Sequence, residues 1–119
     1  MKELKIPTIE INGHTISLRL THKRLRKLFA VLGMSVSGLA RAAVDADYGV
    51  CCDVLRVCYC EELHVPLMDA EAFDELLEPL HPGDILTAGI DAVTAAFGQA
   101  EDGEEGENPP AAARNGLSG

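Results

Sequence analysis

The sequence predicts an α+β fold that is mainly α: an N-terminal two-stranded β-hairpin, about five helices in a compact bundle, and a disordered acidic C-terminal tail. Apolar and polar residues alternate on both sides of a two-residue turn, which is typical of a hairpin. After it, apolar residues recur every three or four positions, as in helices. This period stops at Gln99. We therefore expect a hairpin-plus-helical domain over residues 1–98 and a tail over residues 99–119.

The hairpin lies between residues 8 and 20. Asn12-Gly13 supplies the two residues with positive φ that a type I′ turn requires. A two-residue loop places Ile9 opposite Ile16, so that one face of the hairpin is apolar. An isolated hairpin is only marginally stable in water, so helices or another chain must cover this face. Its candidate partner-binding residues are Ile9, Ile11, Ile16 and Leu18.

The first three predicted helices follow directly. The first begins after Thr21 as N-cap and ends at Gly33. The second is short and begins after Ser35 or Ser37. The third, roughly Ala46 to Leu63, is the longest and most apolar, and we expect it at the centre of the bundle. Its predicted buried stripe contains Tyr48, Cys51, Leu55 and Cys58.

Two further helices are predicted after an extended connector over residues 64–68. Asp69 is a suitable N-cap for the fourth helix, and Pro79 limits its length. The turn His81-Pro82-Gly83-Asp84 precedes the last helix. The predicted buried stripe of this last helix consists of Leu86, Ile90, Val93 and Phe97.

Charge is distributed unevenly along the chain, whose net charge is −9. Residues 1–30 hold seven basic and two acidic residues, whereas residues 42–107 hold seventeen acidic residues and the single basic Arg56. Cations in the first turn of a helix oppose its dipole, so the run from His22 to Lys27 predicts an acidic neighbour. This neighbour is either a partner or the chain's own acidic helices. The candidate partner-binding residues in this run are Lys23, Arg24 and Lys27. Two alternative explanations of the run remain: contact with nucleic-acid phosphate, or a basic surface that faces only solvent.

Four cysteines and one histidine suggest a metal or redox site, but helix geometry argues against it. Cys51 and Cys58 share a face yet lie about 10 Å apart along the axis. Cys60 and His64 fall short of the three or four ligands that zinc usually takes. We expect the cysteines, which include Cys52, to fill the core as small apolar side chains, with no metal or cofactor.

No nucleophile and base pair and no glycine-rich phosphate loop is present, so we do not expect an enzyme. No apolar stretch is long enough to span a bilayer, and the first residues lead directly into a strand. We expect the protein in the cytoplasm of its cell.

The order of these segments resembles the tail assembly chaperones of siphophages, their prophage relatives and gene transfer agents. The similar segments are the strand Ile16-Ser17-Leu18-Arg19-Leu20 before Thr21, a long helix from Val54-Leu55-Arg56-Val57 to Glu61-Glu62-Leu63-His64, and the capped acidic segment from Leu67 to Leu77. The resemblance covers roughly residues 5–98.

The resemblance implies a non-catalytic chaperone that binds the tape measure protein and assists tail tube assembly. It would act in the cytoplasm of the bacterial host and be absent from the mature virion. Independently of the resemblance, free backbone groups on the hairpin edge can pair with another subunit, so we expect a homo-oligomer. Tape measure and tail tube proteins are the expected partners. The main alternative is a small DNA-associated or transcription-regulating protein that uses the basic first helix; a cysteine-based metal or redox sensor is a third.

Overall fold

A computed structural model describes residues 6–98, and the predicted tail over residues 99–119 lies outside this range. The elements in chain order are β1 (Thr8–Ile11), β2 (His14–Ser17), α1 (His22–Leu32), α2 (Val36–Val44), α3 (Tyr48–Glu62), α4 (Ala70–Leu77), α5 (Pro82–Val93) and a π-helical turn (Thr94–Gly98). The predicted fold, a hairpin followed by five helices, is confirmed.

The hairpin has the predicted turn and register. Asn12 and Gly13 adopt φ values of 54° and 82°, and Ile9 pairs with Ile16. The backbone N–H of Leu18 donates to the Pro7 carbonyl oxygen at 2.9 Å, which extends the ladder by one pair. The apolar face packs on the helices, because an exposed apolar hairpin face is unfavourable in water.

Side-chain caps fix where the helices begin. Thr21 Oγ1 accepts from the Arg24 N–H at 3.3 Å, and Gly33, at φ 66°, ends α1. Ser35 and Asp69 cap α2 and α4, as predicted. α3 begins later than predicted, because Ala46 has a left-handed φ of 56° and Asp47 becomes the cap.

The long helix α3 lies at the centre of the molecule, as predicted. It packs against β2 and against α1, α2, α4 and α5. Leu55 and Cys58 from the predicted stripe are fully buried, together with Val54. Tyr48 differs from the prediction: it is 44% exposed, since it is the first residue of α3 at the end of the bundle.

The prediction of the buried side of α5 was wrong, because the residues that face the core are offset by about one position from the predicted ones. Of the four predicted residues, Val93 is buried, and the other three are half-buried. The side that faces the core instead carries Ile85 and three small residues, Ala88, Gly89 and Ala92. A Cβ atom added at Gly89 would lie 2.5 Å from the Cβ of Cys51. Small side chains therefore let the two helix backbones approach closely, and the larger ones lie at the flanks.

Candidate binding cleft

An open cleft of about 530 Å³ lies between the first turns of α3, helix α4 and the start of α5. This volume is in the range of clefts that take ligands. Its lining is Tyr48, Gly49, Cys52, Asp53, Ala70, Asp74, Leu77, Glu78, Leu80 and Pro82.

Local structure explains how these side chains reach the cleft. Asp47 Oδ1 accepts from the Val50 N–H at 3.2 Å and so fixes the first turn of α3. Residues four apart share a helix face, which places Tyr48 and Cys52 together. The same spacing places Asp74 of α4 beside Glu78, the C-cap residue of this helix. The cleft therefore has an aromatic and a thiol group on one wall and two carboxylates on the other.

The carboxylates make the cleft electronegative. Burial raises the pKa of the Tyr48 phenol, and Cys52, Asp74 and Glu78 add to the rise. Burial also raises the pKa of the Cys52 thiol, with Asp74 as the next cause. Arg56 pairs with Asp53 at 3.0 Å, whereas within residues 6–98 no basic nitrogen lies within 4.0 Å of the Asp74 or Glu78 carboxylate.

The candidate residues of the hairpin lie away from this cleft. Ile11, Ile16 and Leu18 are completely buried in the chain's own core. Ile9 is half-buried and lines a second groove, of about 500 Å³, between β1 and α5. The side chains of the first three therefore form no exposed surface in the single chain.

The three basic candidates of α1 are brought together around the acidic end of α3. The Nζ atoms of Lys23 and Lys27 lie 3.3 and 3.7 Å from Glu61 Oε2. The hydrogen bond from Lys23 is the main cause that lowers the pKa of Glu61. The acidic neighbour predicted for these cations is thus present within the chain.

Arg24 differs from the two lysines because it is buried, with 7% of its surface exposed. Its Nη1 donates to the carbonyl oxygens of Ser17 and Arg19, at 2.8 and 3.2 Å. Its Nη2 donates to Glu62 Oε1 at 2.9 Å. Arg24 therefore joins the end of β2 to α3. This role could not be predicted from the sequence, because the cations on either side of Arg24 are exposed and nothing in the run distinguishes it.

The four cysteines are free thiols at separate places on α3. Burial raises the pKa of both Cys51 and Cys58 to about 11. Cys60 Sγ accepts from the Met68 N–H at 3.4 Å. His64 lies beyond the end of α3 with φ 58° and does not continue the helix face of Cys60. In the described part of the chain, no three His, Cys, Asp or Glu residues are grouped as metal ligands.

Sequence reasoning missed the cleft itself. The helical spacing predicts Tyr48 in the buried stripe of the third helix, and it predicts no binding role for the acidic residues of α4. The i, i+4 spacing within each helix was visible, but the sequence gives no sign that the two helices face each other.

Among residues 6–98, no single helix has both the length and the apolar character to cross a bilayer. Helices α1 and α2 together are long and apolar enough, but they are bent by 81° relative to each other.

Comparisons of the chain with protein-family models, curated proteins and solved structures gave no match.

Proposed function

We propose that this chain is a tail assembly chaperone of a siphophage, a prophage or a related particle. It binds the tape measure protein, keeps the apolar segments of that protein from aggregating, and helps recruit tail tube subunits, without catalysis. The observation that carries the proposal is the order of elements: a hairpin, a helix capped by Thr21, a short helix, a long central helix and a capped acidic helix. This is the order in the family that the sequence resembles.

The surface of the chain is compatible with such a role. A chaperone of this type needs accessible apolar groups on a body that charge keeps in solution. Within residues 6–98, six large apolar residues are between 41% and 79% exposed, in a chain with a net charge of −9: Ile6, Val36, Val44, Tyr48, Val65 and Leu67.

The alternative of a DNA-associated protein has less support. Arg24 is buried, and Lys23 and Lys27 already contact Glu61. Phosphate would have to displace these ion pairs and approach a strongly acidic protein.

Co-expression tests the proposal. The tape measure protein encoded near this gene is produced alone, with this chain, or with an unrelated acidic protein of similar size. We expect this chain alone to raise the soluble fraction of the tape measure protein and to co-purify with it. A tape measure protein that stays insoluble, or that dissolves equally well with the control protein, would contradict the proposal.

We also propose that the chain forms a homo-oligomer through the free edge of β1. The Pro7–Leu18 hydrogen bond sets the ladder, so that the N–H groups of Thr8 and Glu10 point away from β2. Glu10→Pro removes one outward N–H and keeps every hydrogen bond to β2. Its control is Thr15→Pro, on the opposite edge. We expect the first variant alone to have a lower mass by light scattering; equal masses would exclude the β1 edge.

A further inference from the structure

We propose that the cleft between α3, α4 and α5 docks a cationic segment of a partner protein. One apolar side chain of this segment enters between Tyr48 and Leu77, and flanking Lys or Arg residues pair with Asp74 and Glu78. The inference deepens the proposed function and rests on it in taking this partner to be the client of the chaperone.

The apolar part of the cleft lining favours an occupant with an apolar side chain. Leu77 is 5% exposed at its base, Leu80 is half-buried, and the Tyr48 ring, at 44% exposure, forms an open wall. Burial of such a surface against a partner is favourable in proportion to the apolar area removed from water. A purely polar occupant would leave this contribution unused.

The rim determines the charge of the occupant. Asp74 and Glu78 are exposed and have no basic group within 4.0 Å in the described residues, and the sequence from 57 to 98 contains neither Lys nor Arg. Some other carboxylates are paired: Glu61 with α1, and Asp53 with Arg56. Asp74 and Glu78 therefore leave the rim of the cleft with negative charge that no neighbouring cation neutralises, and a cationic segment complements it.

A second copy of this chain fits the cleft less well. Its basic helix, α1, already directs Lys23 and Lys27 toward Glu61. The neighbouring exposed residues of α1 are Arg26 and Ala30. Neither offers a large apolar side chain that could cover Leu77 and Leu80 in the cleft. Residues 99–119 hold five acidic residues and the single basic Arg114, so the rim would repel them.

Two synthetic amphipathic peptides test the docking surface. Both carry the same leucine face; one has lysine and the other glutamate at its polar positions. Fluorescence anisotropy measures their binding to the full chain at low and at high salt. We expect the lysine peptide to bind and to weaken with salt, and the glutamate peptide not to bind. Equal binding of both peptides would overturn the proposal.

A pair of charge-reversal variants separates the cleft from general attraction to an acidic protein. D74K/E78K changes the rim, and E71K/E75K makes the same change in net charge on exposed residues of α4 that do not line the cleft. We expect the rim variant to weaken binding of the lysine peptide by about tenfold, and the control variant by less than about threefold. Equal losses would overturn the proposal. A lower oligomer mass in the rim variant, with peptide binding unchanged, would assign the cleft to a second copy and also overturn it.

Cys52 provides a measurement that needs no charge variant. Its thiol lines the cleft and is half-buried, so bound peptide covers it. We expect the lysine peptide to slow maleimide labelling of Cys52 in the wild-type chain, as located by mass spectrometry, with Cys52→Ser as the negative control. An unchanged labelling rate at saturating peptide would place the binding site elsewhere.

The same variants in the co-expression experiment distinguish the two proposals. A wild-type chain that fails to keep the tape measure protein soluble contradicts the proposed function. If the wild type succeeds and D74K/E78K succeeds equally well, the function stands and the docking surface is wrong.

Discussion

Replacing Gly89 with alanine tests the close approach of α5 to α3. The new Cβ would lie 2.5 Å from the Cβ of Cys51, 2.6 Å from its Sγ and 2.8 Å from its Cα. Real Cβ atoms essentially never approach other heavy atoms within 3.0 Å. Because one of the three contacts is to backbone, a rotamer change at Cys51 does not relieve the clash. The two helices must move apart.

The expected loss of stability in Gly89→Ala is the difference between two opposing effects. Overpacking of a well-packed core costs about 1–3 kcal/mol, and the backbone contact favours the upper end. Alanine also favours a helix over glycine by about 1 kcal/mol. The free energy of unfolding should therefore fall by about 2 kcal/mol. For a domain of this size, the Tm should fall by about 8–16 °C.

Gly49→Ala is the matched control, because it makes the same chemical change on a neighbouring helix. The nearest atom to its new Cβ is Asp47 Oδ1 at 3.6 Å, an ordinary contact. We expect a gain of about 0.5–1 kcal/mol there. Urea unfolding followed by far-UV circular dichroism measures both, since the chain has no tryptophan. A Gly89→Ala variant as stable as Gly49→Ala would refute the proposed close approach.

Three further predictions concern the α1–α3 contact and the thiols. Arg24→Met leaves two backbone carbonyls at the end of β2 without their donor and should lower the free energy of unfolding in urea by about 2–4 kcal/mol. A loss below about 0.5 kcal/mol would contradict the conclusion that Arg24 joins β2 to α3. The hydrogen bond from Lys23 is the main cause that lowers the pKa of Glu61 below its ordinary value of 4.5. The ion pair therefore stabilises the folded chain at pH values above 4.5, and this stabilisation is lost as the pH falls through the pKa that Glu61 has in the folded state. Glu61→Gln should therefore be less stable than wild type at neutral pH and equally stable in acid, and a difference independent of pH would argue against the ion pair. At pH about 8, maleimide should label half-buried Cys52 before Cys58, whose pKa burial raises to about 11; equal rates would contradict this difference in burial.

The features that the sequence predicted well depend on neighbouring residues. Asn12-Gly13 determines a turn through its own backbone preferences, and Thr21 and Asp69 cap the helices that follow them. A hairpin register follows from loop length, which is also local. These signals are present within a few residues, so tertiary structure is not needed to interpret them.

The features that it did not predict depend on which elements meet. The core side of α5 is decided by the approach to Cys51, which favours Gly89 over the larger Leu86. Arg24 and Arg56 are buried because backbone carbonyls from other segments accept their hydrogen bonds. The cleft likewise requires α3 and α4 to face each other, which neither helix reveals alone.

The charge asymmetry of the sequence has a physical explanation in the α1–α3 contact. Cations in the first turn of α1 oppose the helix dipole, yet Glu61 and Glu62 lie within ion-pair distance of them. Much of the positive charge is thus neutralised internally. In the part of the chain that the structure describes, α4 has no comparable partner for its carboxylates. Within residues 6–98, α4 therefore presents to an approaching partner a group of carboxylates that have no ion pairs. This charge is complementary to a cationic protein segment, and it would repel the phosphates of nucleic acid.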